Sequence, residues 1–206
     1  MSENGNRDAE HYFATLPKSQ AKLRLIHTTL RGNPLEFLTA SSVFSKKRVD
    51  PGTKLLIEAM FLPETGTVLD VGCGYGAVGI AAAASNPSLY VIMTDVNTRA
   101  VRLAKQNAQK NNVHNAEARY GYLYEPVKEL TFNCVLSNPP VSAGMETVKA
   151  IITQAPEFMT DKAVFQMVIR SKIGAKTLPT VFNETFGNCH VLARKSGYRV
   201  LIAKRQ

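Results

Sequence analysis

Short apolar runs recur along the chain from Thr67 onward, each about a strand long and each followed by a stretch with helical spacing. Thr67-Val68-Leu69-Asp70-Val71, Tyr90-Val91-Ile92-Met93-Thr94, Phe132 to Leu136 and Val164 to Ile169 read as buried strands. VGIAAAAS, Thr98 to Lys110, Glu146 to Met159 and Thr177 to Phe186 read as helices, with Asn97 as an N-cap for the second. Apolar strands that alternate with helices predict a parallel sheet covered on both faces. Both ends of the chain depart from this rhythm. CHVLARKSGYRVLIAK predicts an antiparallel hairpin about Ser196-Gly197, and Leu23 to Thr39 predicts two short strands about Gly32-Asn33. Between that first hairpin and the alternating region, Asp50-Pro51-Gly52 opens a helix expected to end near Pro63.

One loop stands out from this pattern. Asp70-Val71-Gly72-Cys73-Gly74-Tyr75-Gly76-Ala77-Val78-Gly79 contains G-x-G-x-x-G after a strand and before a helix, where such a loop presents bare backbone to a nucleotide-like ligand. Asp95 follows about twenty residues on, at the end of the next strand, where a carboxylate can accept from both ribose hydroxyls. Asp70 discriminates between ligands. A carboxylate directly before the loop repels a pyrophosphate but suits a cofactor carrying a sulfonium and an ammonium group, S-adenosylmethionine.

Ser137-Asn138-Pro139-Pro140 closes another buried strand, at the end of the sheet where open α/β folds place ligands. Proline has no N–H and a fixed φ, so this corner is rigid and its carbonyls are free to accept. An asparagine amide oxygen beside such a carbonyl matches the two hydrogens of an exocyclic amino group. Holding that group would aim its nitrogen lone pair at a methyl carbon, a gain by orientation.

With loop and corner together, the chain resembles a class I S-adenosylmethionine-dependent methyltransferase of the small-methyltransferase-domain family. It is similar to the small-subunit ribosomal RNA guanine-N2 methyltransferases and their short archaeal relatives. The resemblance runs from about His11 to the C-terminus through SSVFSKKRVDPGTKLL, VLDVGCGYGAVGIA, TDVNTRAVRLAKQN, VLSNPP and FGN…GYRVL. It implies an α/β Rossmann-like doubly wound, mostly parallel sheet with an antiparallel last strand and an N-terminal β-hairpin extension. Residues 1–62, hairpin and entry helix, would pack on a methyltransferase domain of residues 63–206 as one structural unit. It implies that Asp70, Gly72, Cys73, Gly74 and Gly76 line the methionine part of the cofactor, that Asp95 binds the ribose and that Val96 lies against the adenine. Asn138 and Pro139 would hold the target amino group next to the cofactor, with Phe44 and Thr53 closing the site and Pro140 and Val141 beside the base. Two positions depart from the family pattern: Tyr122 stands where an acid usually accepts from the adenine amino group, and Val141 where an aromatic ring usually stacks on the base.

Charge adds a partner. Lys and Arg number 25 against 16 Asp and Glu, a formal net charge of +9 that favours a polyanion such as RNA. Lys46, Lys47 and Arg48 precede the entry helix at the expected mouth of the site. Arg99, Arg102 and Lys105 recur at helical spacing, and Arg194, Lys195, Arg199, Lys204 and Arg205 fall in the last hairpin. Cys73, Cys134 and Cys189 have neither disulfide nor zinc spacing, and the four histidines are scattered, so no metal is expected. No apolar run reads as a membrane span, and the expected setting is cytoplasmic. The same corner could take an adenine amino group or a protein glutamine, and a non-catalytic cofactor- and RNA-binding module is a further alternative. An NAD-dependent oxidoreductase leaves Asp70 and Asn-Pro-Pro unexplained.

Overall fold

The computed structural model describes residues 23–40, 48–139, 144–173 and 177–206. Its centre is a seven-stranded sheet. Five strands run parallel: β3 (Gly66–Val71), β4 (Leu89–Asp95), β5 (Ala116–Tyr120), β6 (Phe132–Ser137) and β7 (Met159–Arg170). β8 (His190–Lys195) and β9 (Tyr198–Lys204) form the terminal hairpin, with β9 antiparallel to β7. The spatial order is β5-β4-β3-β6-β7-β9-β8, so the chain reverses direction across the sheet at β3 and opens a crevice beyond its C-terminal end.

Period-2 alternation explains why both faces are covered. Val68, Val91, Met93, Cys134 and Leu136 face one cluster with α1 (Pro51–Ala59), α2 (Ala77–Ser85) and α3 (Thr98–Lys110). Leu69, Val71, Ile92, Val135 and Phe165 face the other, with α4 (Gly144–Gln154) and α5 (Thr177–Phe186). Among the described residues, no helix is long and apolar enough to cross a membrane.

Several boundaries differ from the pattern-based expectation. The first hairpin, β1 (Leu23–Leu30) and β2 (Asn33–Ala40), turns at Arg31-Gly32 rather than Gly32-Asn33. Both turn residues have positive φ, 47° and 78°, as a two-residue turn matched to strand twist requires. α1 ends at Ala59, well before Pro63. The Arg31 guanidinium there donates to the carbonyls of Ile57 and Met60, and buried Gln166 clamps both backbone groups of Phe61. The expected helix over Glu146 to Met159 breaks at Gln154 into a 3₁₀ turn, and Met159 already begins β7. β5 carries no strand signal in the sequence because AEARY has no apolar run; it is an edge strand with one buried residue, Ala118.

The hairpin joins the core through a helix that imitates a strand. Asn107 Oδ1 accepts from the Leu38 N–H at 2.7 Å while its Nδ2 donates to the Leu38 and Tyr75 carbonyls. One turn on, Asn111 makes the same pair with Glu36. The match is geometric: four helical residues rise about 6 Å, close to the span of about 6.8 Å between alternate strand residues. Asn107→Ala strands one amide and two carbonyls, an expected loss of about 2–4 kcal/mol readable by urea unfolding.

Candidate active site

β3 ends at Val71, and its backbone turns at once into the glycine loop. The Gly72 and Cys73 N–H groups both donate to the Thr94 carbonyl, at 2.8 and 3.0 Å, which ties the loop to the end of β4. Gly72 has φ +74°, and a Cβ there would point into open space with no atom within 4 Å. Bare backbone therefore faces the crevice. Gly79 serves another purpose: a Cβ would come within 2.4 Å of Met93, so glycine is what lets α2 lie against β4.

Two carboxylates brace this loop. Asp95, 3% exposed, accepts from the Gly74 N–H at 2.8 Å on one oxygen and from the Asn97 N–H at 2.8 Å on the other. Each oxygen keeps a lone pair for a further donor. Burial raises its pKa above the ordinary carboxylate value, against those two amides. Asp70 does not stand exposed at the mouth, as its place before the loop suggested. It is 1% exposed beneath the loop, where it accepts from the Gly79 N–H at 2.9 Å. Loss of water pushes its pKa up to about 7, the Gly79 amide opposing and Asp95 adding repulsion. Cys73 is also buried, its thiol pushed far up by desolvation, so it lines the loop without being a nucleophile.

The remaining wall is drawn in by hydroxyls. Thr94 Oγ1 donates to the Leu123 carbonyl, fixing the segment after β5 beside the end of β4. Tyr122 lies there, more than a third exposed, its N–H accepted by the Glu125 carboxylate. Val96 is half-buried directly after Asp95. Ser137 Oγ donates to the Val71 carbonyl at 2.9 Å, which sets the Asn138 corner against the end of β3.

Asn138 Nδ2 donates to Thr53 Oγ1 at 2.7 Å. Thr53 is buried in the first turn of α1, where Asp50 Oδ2 caps the Gly52 and Thr53 N–H groups. With its nitrogen engaged, the Asn138 amide is oriented and its oxygen is left to accept. Asn138, Pro139 and Asp50 line one pocket with Arg170, Tyr198 and the apolar side chains of Met145, Val148 and Leu178. The corner thus opens onto a partly apolar recess.

The loop residues Gly72, Cys73, Gly74 and Gly76, the acids Asp70 and Asp95, and Asn138 and Pro139 therefore converge at the C-terminal ends of β3, β4 and β6. Phe44, Lys46, Lys47, Pro140 and Val141 lie outside the described residues; Arg48 is described and exposed. On α3, Arg102 and Lys105 are exposed, but Arg99 is only 9% exposed and leaves the expected basic face. Lys110 pairs with Glu36 at 2.9 Å. Thr94, Tyr198 and Arg170 were not foreseen, since nothing local marks a threonine carbonyl or residues on β7 and β9 as site-forming. Asp50 was read only as a helix opener.

Residues 34–202 match the family model described as methyltransferase small domain. The chain is 36% identical over 199 residues to the uncharacterized protein YbxB of Bacillus subtilis, covering 96% of this chain and 99% of that one. It is 27% identical to ribosomal RNA small subunit methyltransferase C of Haemophilus influenzae, covering 98% of this chain and 62% of that protein. The same-named Hamiltonella defensa protein is 29% identical over 81% of this chain and 49% of its own. The chain thus spans 62% and 49% of the length of these two relatives. Among solved structures, a T. thermophilus 16S rRNA N2 methyltransferase in complex with AdoMet and guanosine superposes with a TM-score of 0.81 at 25% identity, over 93% of this chain and 52% of that one.

Proposed function

Because the chain belongs to the methyltransferase small domain family, we propose that it transfers a methyl group from S-adenosylmethionine to the exocyclic amino group of guanine in ribosomal RNA. The observation that carries the amino-group reading is the Thr53-oriented Asn138 amide at the rim of the glycine-loop crevice. The ribosomal substrate is supported by the names of the methyltransferase C relatives, and guanine by the guanosine in the T. thermophilus complex.

The residues fit the cofactor. Gly72 leaves open backbone, Asp95 has lone pairs for ribose hydroxyls at the crevice, and Asp70 places negative charge beneath the loop where positive groups would lie. Bound there, S-adenosylmethionine supplies an electrophilic methyl on a sulfonium. The Asn138 amide oxygen and the neighbouring carbonyl accept the two amino hydrogens, turning the nitrogen lone pair toward the methyl carbon. They also stabilise the positive charge that grows on nitrogen as the N–C bond forms; the S–C bond would break with its electron pair kept by the sulfur, leaving a neutral thioether, and one amino proton would pass to solvent. No residue has to form a covalent bond with the base. The base must leave its stack to reach the corner, so a single-stranded or extruded guanine is the acceptor.

Transfer of labelled methyl to ribosomal RNA, transfer RNA and protein fractions, followed by nucleoside analysis, tests this reading. N2-methylguanosine in ribosomal RNA is the expected product, and label in adenosine or glutamine refutes it.

Asp70 makes affinity depend on pH. Its folded pKa, about 7, lies above the ordinary 3.8, so the folded chain binds this proton more tightly than the unfolded chain. That contribution to stability is present below the unfolded pKa and is lost as pH rises through about 7. A cation bound nearby favours the ionised form. Affinity for S-adenosylmethionine should therefore rise severalfold from about pH 6 to pH 8, more steeply than for uncharged-sulfur S-adenosylhomocysteine. Calorimetric titration of both ligands checks this, and Asp70→Asn should flatten the difference.

A further inference from the structure

The pocket behind Asn138 holds a second acceptor whose role goes beyond capping. Asp50 is 9% exposed and uses its two oxygens unequally. Oδ2 takes the Gly52 and Thr53 amides at 2.9 and 3.1 Å. Among the described residues, Oδ1 accepts only from the Tyr198 hydroxyl, at a long 3.4 Å, and Asp50 lines the same recess as Asn138 and Pro139. A carboxylate oxygen that lines a recess with one long hydrogen bond keeps acceptor capacity for a further donor. In the same recess, the Arg170 guanidinium lies 5.5 Å from the centroid of the Tyr198 ring.

We infer that Asp50 is the specificity residue of the acceptor pocket, accepting the ring N1–H of guanine beside the amino group held by Asn138. This rests on the guanine reading above and deepens it. The chemistry discriminates. Along its Watson–Crick edge guanine presents an amino donor, a ring N–H donor and a carbonyl acceptor. Asn138 and Asp50 supply acceptors for the first two, and Arg170 supplies donors for the third. Adenine places an unprotonated ring nitrogen beside its amino group, and glutamine a carbonyl oxygen. Either would set lone pairs against the Asp50 carboxylate. The two acceptors are held in common by one residue, since Thr53 binds Asn138 through its hydroxyl and Asp50 through its amide.

The cap itself supplies the test. In Asp50→Asn the side-chain oxygen must still face the Gly52 and Thr53 amides, so its NH₂ turns to where Oδ1 now points. The recess then offers a donor in place of an acceptor. 2-Aminopurine riboside carries the same 2-amino group as guanosine but an unprotonated N1. Binding of both nucleosides to protein saturated with S-adenosylhomocysteine is measured by ligand-observed NMR titration. The wild type should prefer guanosine by about 10- to 100-fold, and Asp50→Asn should abolish or invert that preference. Asp50→Ser, a cap too short to reach the recess, should lose the preference without inverting it. Because each variant is read as a ratio on one protein, a general loss of stability does not mimic the result. A wild type that binds the two nucleosides equally, or binds neither, overturns the inference, as does a preference unchanged in Asp50→Asn. If nucleoside analysis finds methylguanosine while the ratio is unmoved, the Asp50 assignment alone falls; if it finds methyladenosine, both fall.

Discussion

Asn138→Ala is expected to lower kcat by at least about 100-fold while leaving the dissociation constant for S-adenosylmethionine nearly unchanged. The separation follows from position. Asn138 directly follows β6 and bonds to Thr53 on α1, whereas the loop is held by hydrogen bonds to Thr94, Asp70 and Asp95. Removing the amide leaves the amino group free to rotate, and its lone pair spends little time aligned with the methyl carbon. Single-turnover methyl transfer on the RNA substrate gives the rate, and equilibrium titration gives the affinity. Asn138→Asp tests orientation more finely. It presents two acceptor oxygens, one of which can accept from the Thr53 hydroxyl, so the tether is kept with its direction reversed while a charge is added beside that buried hydroxyl. Full turnover in Asn138→Ala would refute the assigned mechanism.

Asp95→Ala should show the opposite split. Cofactor affinity falls by about 100-fold or more, while kcat at saturating cofactor changes far less. The carboxylate holds the Gly74 and Asn97 amides together, so it shapes the loop as well as offering lone pairs to a ligand. Its loss leaves two N–H groups without their partner, at about 1–3 kcal/mol each, partly offset because a buried carboxylate no longer has to be desolvated. At about 2–4 °C per kcal/mol for a chain of this size, the melting temperature should drop by several degrees. Calorimetric titration and thermal unfolding together decide it. Unchanged affinity alongside a lowered melting temperature would make Asp95 a structural brace only.

What was legible in the sequence was whatever short-range chemistry dictates. The glycine loop, Asp95 and Asn-Pro-Pro each sit directly at the end of an apolar run, so strand period and backbone permissiveness place them without knowledge of the rest of the chain. The helix from Thr98 to Lys110 with its Asn97 cap, and the hairpin about Ser196-Gly197, were readable for the same reason. β5 was not, because an edge strand needs little burial and AEARY shows little. The early end of α1 was not either, because Arg31 and Gln166 terminate it from 26 and more residues away.

The amino-acid sequence by itself determined a doubly wound α/β sheet with a glycine loop, an acid at the next strand end and an Asn-Pro-Pro corner. Only the tertiary structure decided how those parts are aimed. It put Asp70 beneath the loop rather than at its mouth, buried Arg99, and turned Asn107 and Asn111 into a surrogate strand edge. It joined Asp50, Asn138, Arg170 and Tyr198, which lie as far as 148 residues apart in the chain, around one recess. The reason is physical: periodicity and turn chemistry act over a few residues. A side-chain amide's orientation and a carboxylate's spare oxygen depend on partners that only the folded sheet brings within hydrogen-bonding distance.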